Sequence, residues 1–343
     1  MKPEQSEQFL IEELFTRSVE RKAIEPQVLS EIDKLTGDAS TRRYYRVFTE
    51  DKSYVVCLDN PFEKDVASHP FVSVQQFLHA KDIIVPKIYD HHLRKGYLLQ
   101  EDLGDVTLLQ HLSTHGSLND EKEIYKKIVD QLIHLHKIPE SEVTNPHLFK
   151  MKFDFEKVMD ETRFTFKYFI NFFLKNTSEE LVAELDALFK PIMERIAAKP
   201  MVITHRDFHS RNIMVKNGEF VFIDFQDARW GLPQYDLVSL LEDCYYDLDE
   251  ANRDYLKRYY YEQMPMTALA QQSYEEFLSL YDDMLIQRVF KAVGSFCYIY
   301  NWRKDERYLK YIGFAMEKIR HTMNKNPKYK ELSEKLFKFY YAN

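Results

Sequence analysis

The run His205-Arg206-Asp207-Phe208-His209-Ser210-Arg211-Asn212 constrains this chain more than any other feature. It follows a short apolar strand, Met201-Val202-Ile203-Thr204. It precedes Met214-Val215 and Phe220 to Phe225, which flank Lys216-Asn217-Gly218-Glu219. An Asn-Gly pair between two apolar runs predicts a tight hairpin. Asp224 then closes the second run. Polar groups are thereby gathered on a small β patch inside a stretch whose apolar spacing is otherwise helical. On that patch Asp207 can accept the proton of an attacking hydroxyl. Asn212 offers a neutral oxygen and Asp224 a carboxylate to a hard cation.

The spacing is that of the kinase catalytic loop H-R-D-x-x-x-x-N, with a strand-terminal Asp twelve residues later. Phosphoryl transfer needs such groups, because a metal neutralises charge on the phosphate oxygens while the protein supplies position. Taken singly each element is weak; their order at close range is what carries the reading. The competing reading is a metal site built from His205, Asp207 and His209. No further His or carboxylate cluster completes the three or four ligands it would need.

At 343 residues the chain can form two lobes. Residues 6–34 read as an amphipathic helix carrying Phe9, Leu10, Leu14 and Phe15 at helical spacing. Strands are expected at 44–48, 53–58, 83–89 and 97–100, with a helix at 68–80. Glu101-Asp102-Leu103-Gly104 breaks this pattern. Helices are expected beyond it at 120–138, 153–175, 178–197, 248–262, 272–300 and 305–341. The predicted fold class is α+β: a β-rich N-lobe over 1–100, a hinge at 101–104 and a helical C-lobe over 105–343.

Net charge is −8, from 47 basic and 55 acidic side chains, which argues against nucleic-acid or anionic-membrane partners. Cys57, Cys244 and Cys297 are far apart and suit a reducing compartment. The N-terminus has no apolar run long enough for a signal peptide or membrane span. A cytoplasmic monomer is expected. His134 and His136 stand two apart on a helix and make a poor metal pair.

Upstream, Gly37-Asp38-Ala39-Ser40-Thr41 lacks the repeated glycines of a phosphate loop. Ala39 and Ser40 are still small enough to let backbone N–H groups approach phosphates. Arg42, Arg43 and Arg46 follow and could place positive charge there.

These motifs resemble the aminoglycoside phosphotransferase family, relatives of choline kinases that share the bilobal protein-kinase-like fold with the active site in the cleft. Leu35 to Arg46 is similar to the G-D-A-S-x-R-R-Y-x-R opening of its anomeric cell-wall sugar kinase branch. His205 to Asn212, Ile223 to Ala228, Tyr235 to Leu241, and Gln287, Arg288, Lys291, Gly294 and Phe296 fit the same branch. Its members use ATP to phosphorylate the anomeric hydroxyl of N-acetylmuramate and N-acetylglucosamine in peptidoglycan recycling. The resemblance implies that Asp207 is the catalytic base and that Asn212 and Asp224 hold Mg2+. It also implies that Glu101 to Leu103 face adenine and that Asp236 braces the catalytic loop.

Two departures stand out. Cys57 or Leu58 occupies the place of the phosphate-pairing lysine, and the helix after it contains no glutamate. With the metal residues intact, a rebuilt clamp is expected, on Arg43 or, as second choice, Arg42. Asp224-Phe225-Gln226 replaces D-F-G, and Tyr235-Asp236 follows too soon for a long activation segment, so a small acceptor is expected rather than a peptide. Acceptor contacts are expected from His209, Arg211, Gln226, Asp227 and Arg229, with Trp230, Asn301 and Arg303 as further candidates. The alternatives are a kinase for another small alcohol (an aminoglycoside, choline or another sugar) and a nucleotide-binding pseudokinase.

Overall fold

The computed structural model describes residues 4–35, 42–114, 117–269 and 271–342. They divide into two compact units. One runs through Val106 and takes in Asn145–His147 and Met214–Gln226; the other holds Thr107–Thr144, Leu148–Ile213 and the chain from Asp227 onward.

In the first unit, α1 (Gln5–Glu20) buries Ile11, Leu14, Phe15 and Ser18, one stripe at helical spacing. The helix expected to reach residue 34 ends much earlier. Lys22 takes a left-handed φ of 59°, and Pro26 cannot continue the hydrogen-bond ladder. Residues Glu31–Lys34 form a strand, β1, which buries Ile32 opposite Val47. The antiparallel sheet continues with β2 (Arg43–Phe48), β3 (Ser53–Leu58), β4 (Ile88–His92) and β5 (Tyr97–Glu101), in the order β1-β2-β3-β5-β4. Between β3 and β4 lies α2 (Pro70–Ala80), started by the His69 side chain and by Pro70 at its first position. The strand expected over 83–89 begins only at Ile88. Pro86 has no N–H for a ladder, and the Ile84 carbonyl instead accepts the Phe222 N–H at 2.9 Å.

The sheet's two faces differ, because side chains alternate along a strand. Tyr45, Val47, Val56 and Leu58 pack with Ile11, Leu14 and Phe15 of α1. The opposite face carries Tyr44 across from Cys57.

The second unit is helical. Its elements are α3 (Leu108–Thr114), α4 (Leu118–His136), α5 (Pro146–Lys150, shared at its start with the first unit), α6 (Phe155–Thr165) and α7 (Glu179–Ala197). The helix expected at 153–175 is α6 followed by a π-helical segment, Phe166–Phe173. Next come β6 (Val202–Thr204), β7 (Ile213–Lys216), β8 (Glu219–Phe222) and β9 (Arg229–Gly231), then α8 (Gln234–Leu241) and α9 (Glu250–Gln263). β7 and β8 pair as the expected hairpin, and both Asn217 and Gly218 have the positive φ that its turn requires. From Met214 onward this hairpin belongs to the sheet unit. β9 was not legible in the sequence; it pairs antiparallel with β6.

The 30-residue helix α10 (Tyr274–Arg303) buries residues on every side and opens with a complete capping box, Ser273 with Glu276. Gly294 lets it approach α6, since a Cβ there would lie 2.8 Å from the Thr165 Cα. The final expected helix, 305–341, is two: α11 (Lys310–Lys325) and α12 (Lys330–Ala342). Asn326-Pro327 opens a 3₁₀ turn between them, as a proline past a helix end favours. No helix among the described residues is long and apolar enough to cross a membrane.

Candidate active site

In the helical unit, the catalytic-loop residues connect β6 to β7 and are pinned from below. Asp236, in the first turn of α8, is fully buried. Its Oδ2 accepts the His205 N–H at 2.6 Å and its Oδ1 the Arg206 N–H at 2.9 Å. His136 Nε2 lies 3.3 Å from the same carboxylate, and His136 Nδ1 lies 2.6 Å from the Tyr260 hydroxyl. The expected bracing role of Asp236 is therefore visible in the geometry. Asp243 adds a second pin by accepting the Ser210 N–H at 2.9 Å. Arg206 has a φ of 83°, a conformation costly for a residue with a Cβ and held by these bonds.

Asp207 emerges from this framework with three cations around it. Lys291 Nζ stands 3.0 Å and Arg288 Nη2 3.5 Å from Oδ1, while Arg206 Nη1 is 3.8 Å from Oδ2. Burial works to raise the Asp207 pKa, yet Lys291, Arg206 and Arg288 hold it well below the usual carboxylate range. The group is a carboxylate at neutral pH, able to receive a proton.

Asn212 donates from Nδ2 to the Asp207 carbonyl at 2.9 Å. That contact commits the amide nitrogen to the backbone and makes the amide oxygen the end suited to a cation. The His205-Asp207-His209 alternative gains nothing: no group of three His, Cys, Asp or Glu side chains suited to a metal occurs among the described residues.

The expected acceptor residues sit as follows. His209 packs edge-on against Tyr245; burial first, and Arg288 after it, push its pKa down to about 3, so its ring is neutral. Arg211 lies between the rings of Tyr245 and Tyr308, at 5.0 and 5.1 Å. Asp227 pairs with Arg206 Nη1 at 3.1 Å. Arg229 is buried, with its Nε on the Asp227 carbonyl at 3.0 Å and its guanidinium over Phe153. Trp230 is buried in β9, paired with Ile203.

In the sheet unit, Asp224 follows β8 with a left-handed φ of 64°, a strained geometry of the kind kept at functional sites. Gln226 Nε2 donates to Asp224 Oδ1 at 2.9 Å. Phe225 packs on Phe71 of α2 at 4.9 Å, and the Arg42 guanidinium lies over the same Phe71 ring at 5.2 Å. Arg42 Nε bonds Asp59 Oδ2 at 2.8 Å. Arg43 is on the opposite face, paired with Glu7 of α1. Cys57, one of the two residues read at the lysine position, is buried and its thiol pKa is pushed up to about 12 by that burial. Arg46 pairs with Asp102 at 2.7 Å.

At the expected hinge, Lys216 Nζ bridges Glu101 Oε1 at 2.7 Å and the Asp102 carbonyl at 2.8 Å. Leu103 joins Met214, Val221, Ile84 and Ile223 in a small apolar cluster. Ala39 and Ser40 lie outside the described residues.

Sequence reasoning did not single out Asp59, Asp243, Arg288 or Lys291 for these contacts. A signal existed for the last two: a pair of cations inside the apolar run Met284 to Gly294. Buried charges are kept only where something pairs them.

The model of the phosphotransferase enzyme family matches residues 31–270. Over 319 residues the chain is 30% identical to the N-acetylmuramate/N-acetylglucosamine kinase of Pseudomonas aeruginosa, covering 90% of this chain and 88% of that one. Over 282 residues it is 28% identical to the protein of that name from Neisseria meningitidis serogroup B, with 79% of each covered. The choline kinase of Streptococcus pneumoniae has a TM-score of 0.59 at 15% identity, over 90% of this chain and 99% of that one. The aminoglycoside phosphotransferase APH(2″)-IIa, solved with streptomycin and ATP, has a TM-score of 0.60 at 13% identity, over 92% and 97%. The last two likenesses show the fold, α+β and protein-kinase-like. The chain belongs to the phosphotransferase enzyme family and is a small-molecule kinase.

Proposed function

We propose that this chain transfers the γ-phosphoryl group of ATP to the anomeric hydroxyl of N-acetylmuramate, N-acetylglucosamine or both, in the cytoplasm, as a step of peptidoglycan recycling. The reading is supported by the names of the two relatives above, which span most of this chain. The structural observation that carries it is the Asp207 carboxylate held among Lys291, Arg288 and Arg206. A carboxylate so surrounded is a weak base. It suits a hemiacetal hydroxyl, which the neighbouring ring oxygen makes more acidic than an ordinary alcohol.

In the step proposed, the anomeric oxygen bonds to the γ-phosphorus and its proton passes to Asp207 Oδ2. The bond from that phosphorus to the β,γ-bridging oxygen breaks, and ADP leaves with the electron pair. Asn212 and Asp224 are the proposed Mg2+ ligands; the bound ion would neutralise charge on the phosphate oxygens. Glu101 to Leu103 would receive adenine, with Ala39 and Ser40 covering the phosphates. His209, Arg211, Gln226 and Asp227 would contact the sugar, with Arg229 acting through Asp227.

For the clamp that replaces the missing lysine, Arg42 is favoured over Arg43. Arg42 shares its surroundings with Phe71 and, through that ring, Phe225 beside Asp224, whereas Arg43 pairs with Glu7 on the α1 face. Asp59 would hold Arg42 as a glutamate ordinarily holds the lysine.

A cationic acceptor such as choline or an aminoglycoside is disfavoured by Arg206, Arg288 and Lys291 around Asp207. A transfer screen with γ-labelled ATP across amino sugars, amino alcohols and aminoglycosides tests the reading. Label on an amino sugar above an Asp207→Asn control is expected. Label only on an amino alcohol or aminoglycoside would replace the acceptor assigned, and no label anywhere would favour a pseudokinase.

A further inference from the structure

The catalytic-loop motif does not account for the two cations that α10 sends to Asp207. Arg288 and Lys291 are three residues apart, so they share a helix face. Leu285, Ile286, Val289, Phe290, Ala292 and Val293 around them are buried and apolar. Arg288 is committed to its surroundings: Nε donates to Ser239 Oγ at 2.8 Å, and the guanidinium lies over the Tyr235 ring at 5.8 Å.

Lys291 is different. Its side chain is 14% exposed, and among the described residues its ammonium has one hydrogen-bond partner, Asp207 Oδ1 at 3.0 Å. An ammonium carries three donors. Burial pushes the Lys291 pKa down, and Asp207 opposes that shift. Keeping a cation here with donors to spare is costly unless a further acceptor arrives.

We infer that Lys291 is a further catalytic residue: its ammonium holds Asp207 through Oδ1 and offers its remaining donors to the phosphoryl group in transfer. The inference rests on the phosphotransfer reading given above. The oxygen whose proton goes to Asp207 is the oxygen that bonds to phosphorus. The carboxylate and the transferring group must therefore come within about 4–5 Å of one another. A cation already in contact with Asp207 is within reach of both. Charge on the three equatorial phosphoryl oxygens is met by a fixed, desolvated donor, an interaction that strengthens as the transition state forms. Engaging Oδ1 also leaves Oδ2 to take the proton, since the cation nearest Oδ2, Arg206 Nη1, is beyond hydrogen-bond distance at 3.8 Å.

The test compares Lys291→Met, Lys291→Arg, Asp207→Asn and the Asp207→Asn/Lys291→Met pair in steady-state transfer to N-acetylmuramate and N-acetylglucosamine. Lys291→Met is expected to lower kcat about 100-fold, with KM for sugar and for ATP changed less than about threefold. Lys291→Arg should recover at least about a tenth of wild-type kcat, and the pair should be no more than about threefold slower than Asp207→Asn alone. A purely structural lysine would instead lower melting temperature or raise KM, with no rescue by arginine. The proposal is overturned if Lys291→Met keeps kcat within about threefold of wild type, or if Lys291→Arg melts normally and is as slow as Lys291→Met. If Lys291→Met does not fold, Lys291→Gln and Lys291→Arg decide by the same criteria. If wild type phosphorylates neither sugar, the acceptor assignment fails. Lys291 is then read on magnesium–ATP hydrolysis with water as acceptor, where an unchanged rate in Lys291→Met overturns it. Hydrolysis no faster in wild type than in Asp207→Asn would end both proposals.

Discussion

The Asp236 carboxylate accepts the backbone N–H of His205 at 2.6 Å, and through its other oxygen that of Arg206, so one buried side chain sets the direction in which Asp207 leaves the loop. Replacing Asp236 by Ala leaves the buried His205 N–H and the part-buried Arg206 N–H without that acceptor and removes the polar neighbour of His136 Nε2. Each lost bond to a charged acceptor is worth about 1.5–3 kcal/mol. Asp236→Ala is expected to lose about 3 kcal/mol in urea unfolding and most of its activity, and Asp236→Asn less of both. A Asp236→Ala protein with wild-type stability would remove the bracing role.

Arg42 and Arg43 are adjacent in sequence but stand on opposite faces of the sheet. Arg42→Ala is expected to raise KM for ATP at least about tenfold, the loss of one strong charged contact. Asp59→Asn should show a smaller rise, because it loosens Arg42 without removing its charge. Arg43→Ala should change KM for ATP by less than about threefold. The reverse ranking in ATP kinetics would return the clamp to Arg43.

The close approach of α10 to α6 depends on Gly294. A methyl there would press on Thr165, whose hydroxyl also donates to the Phe290 carbonyl at 3.2 Å. Gly294→Ala is expected to cost about 1–3 kcal/mol, as overpacking generally does. Adding Thr165→Ala should recover part of that loss, a coupling that a double-mutant cycle measures directly. Simple additivity of the two changes would contradict the packing described.

Asp282 provides the pH prediction. Burial raises its pKa to about 6, with Lys257, Lys328 and Lys325 pulling the other way. The folded state therefore keeps a proton that the unfolded chain gives up near its ordinary value. Stability falls as pH rises from about 4 through about 6 and stays lower above that. Asp282→Asn should melt higher than wild type at pH 8, by about 1–2 kcal/mol, and match it near pH 4. Equal destabilisation at both pH values would show that the carboxylate is not strained.

The parts of the site legible in the sequence were those that chemistry ties to a fixed local spacing. Asp207, Asn212, Asp224 and the Asn217-Gly218 turn fall within twenty residues, and the turn forms where the Asn-Gly pair places it. Asp236 was read only through the family resemblance, and its bonds to His205 and Arg206 span 31 and 30 positions. What was not legible depends on contacts distant in sequence. Lys291 meets Asp207 across 84 positions and Arg42 meets Asp59 across 17, and no local periodicity encodes such pairs. The fold followed the same division. Long helices with a clear apolar stripe appeared where expected. The boundaries moved where a single residue overrode the stripe: Pro26 after α1, Pro86 before β4, and Pro327 between α11 and α12. The short strand β9 carries three residues and is defined only by its partner β6, so its own sequence holds too little pattern to find it.

Transfer to the anomeric oxygen would leave its mark on the reducing end of the product. Wild-type protein, magnesium and γ-labelled ATP are incubated with N-acetylmuramate and with N-acetylglucosamine, and the product is assayed for label and for reducing-end reactivity. Labelled sugar whose reducing end is blocked in proportion to the label is expected, with neither change in Asp207→Asn. Labelled sugar that retains its full reducing-end reactivity would contradict transfer to the anomeric oxygen.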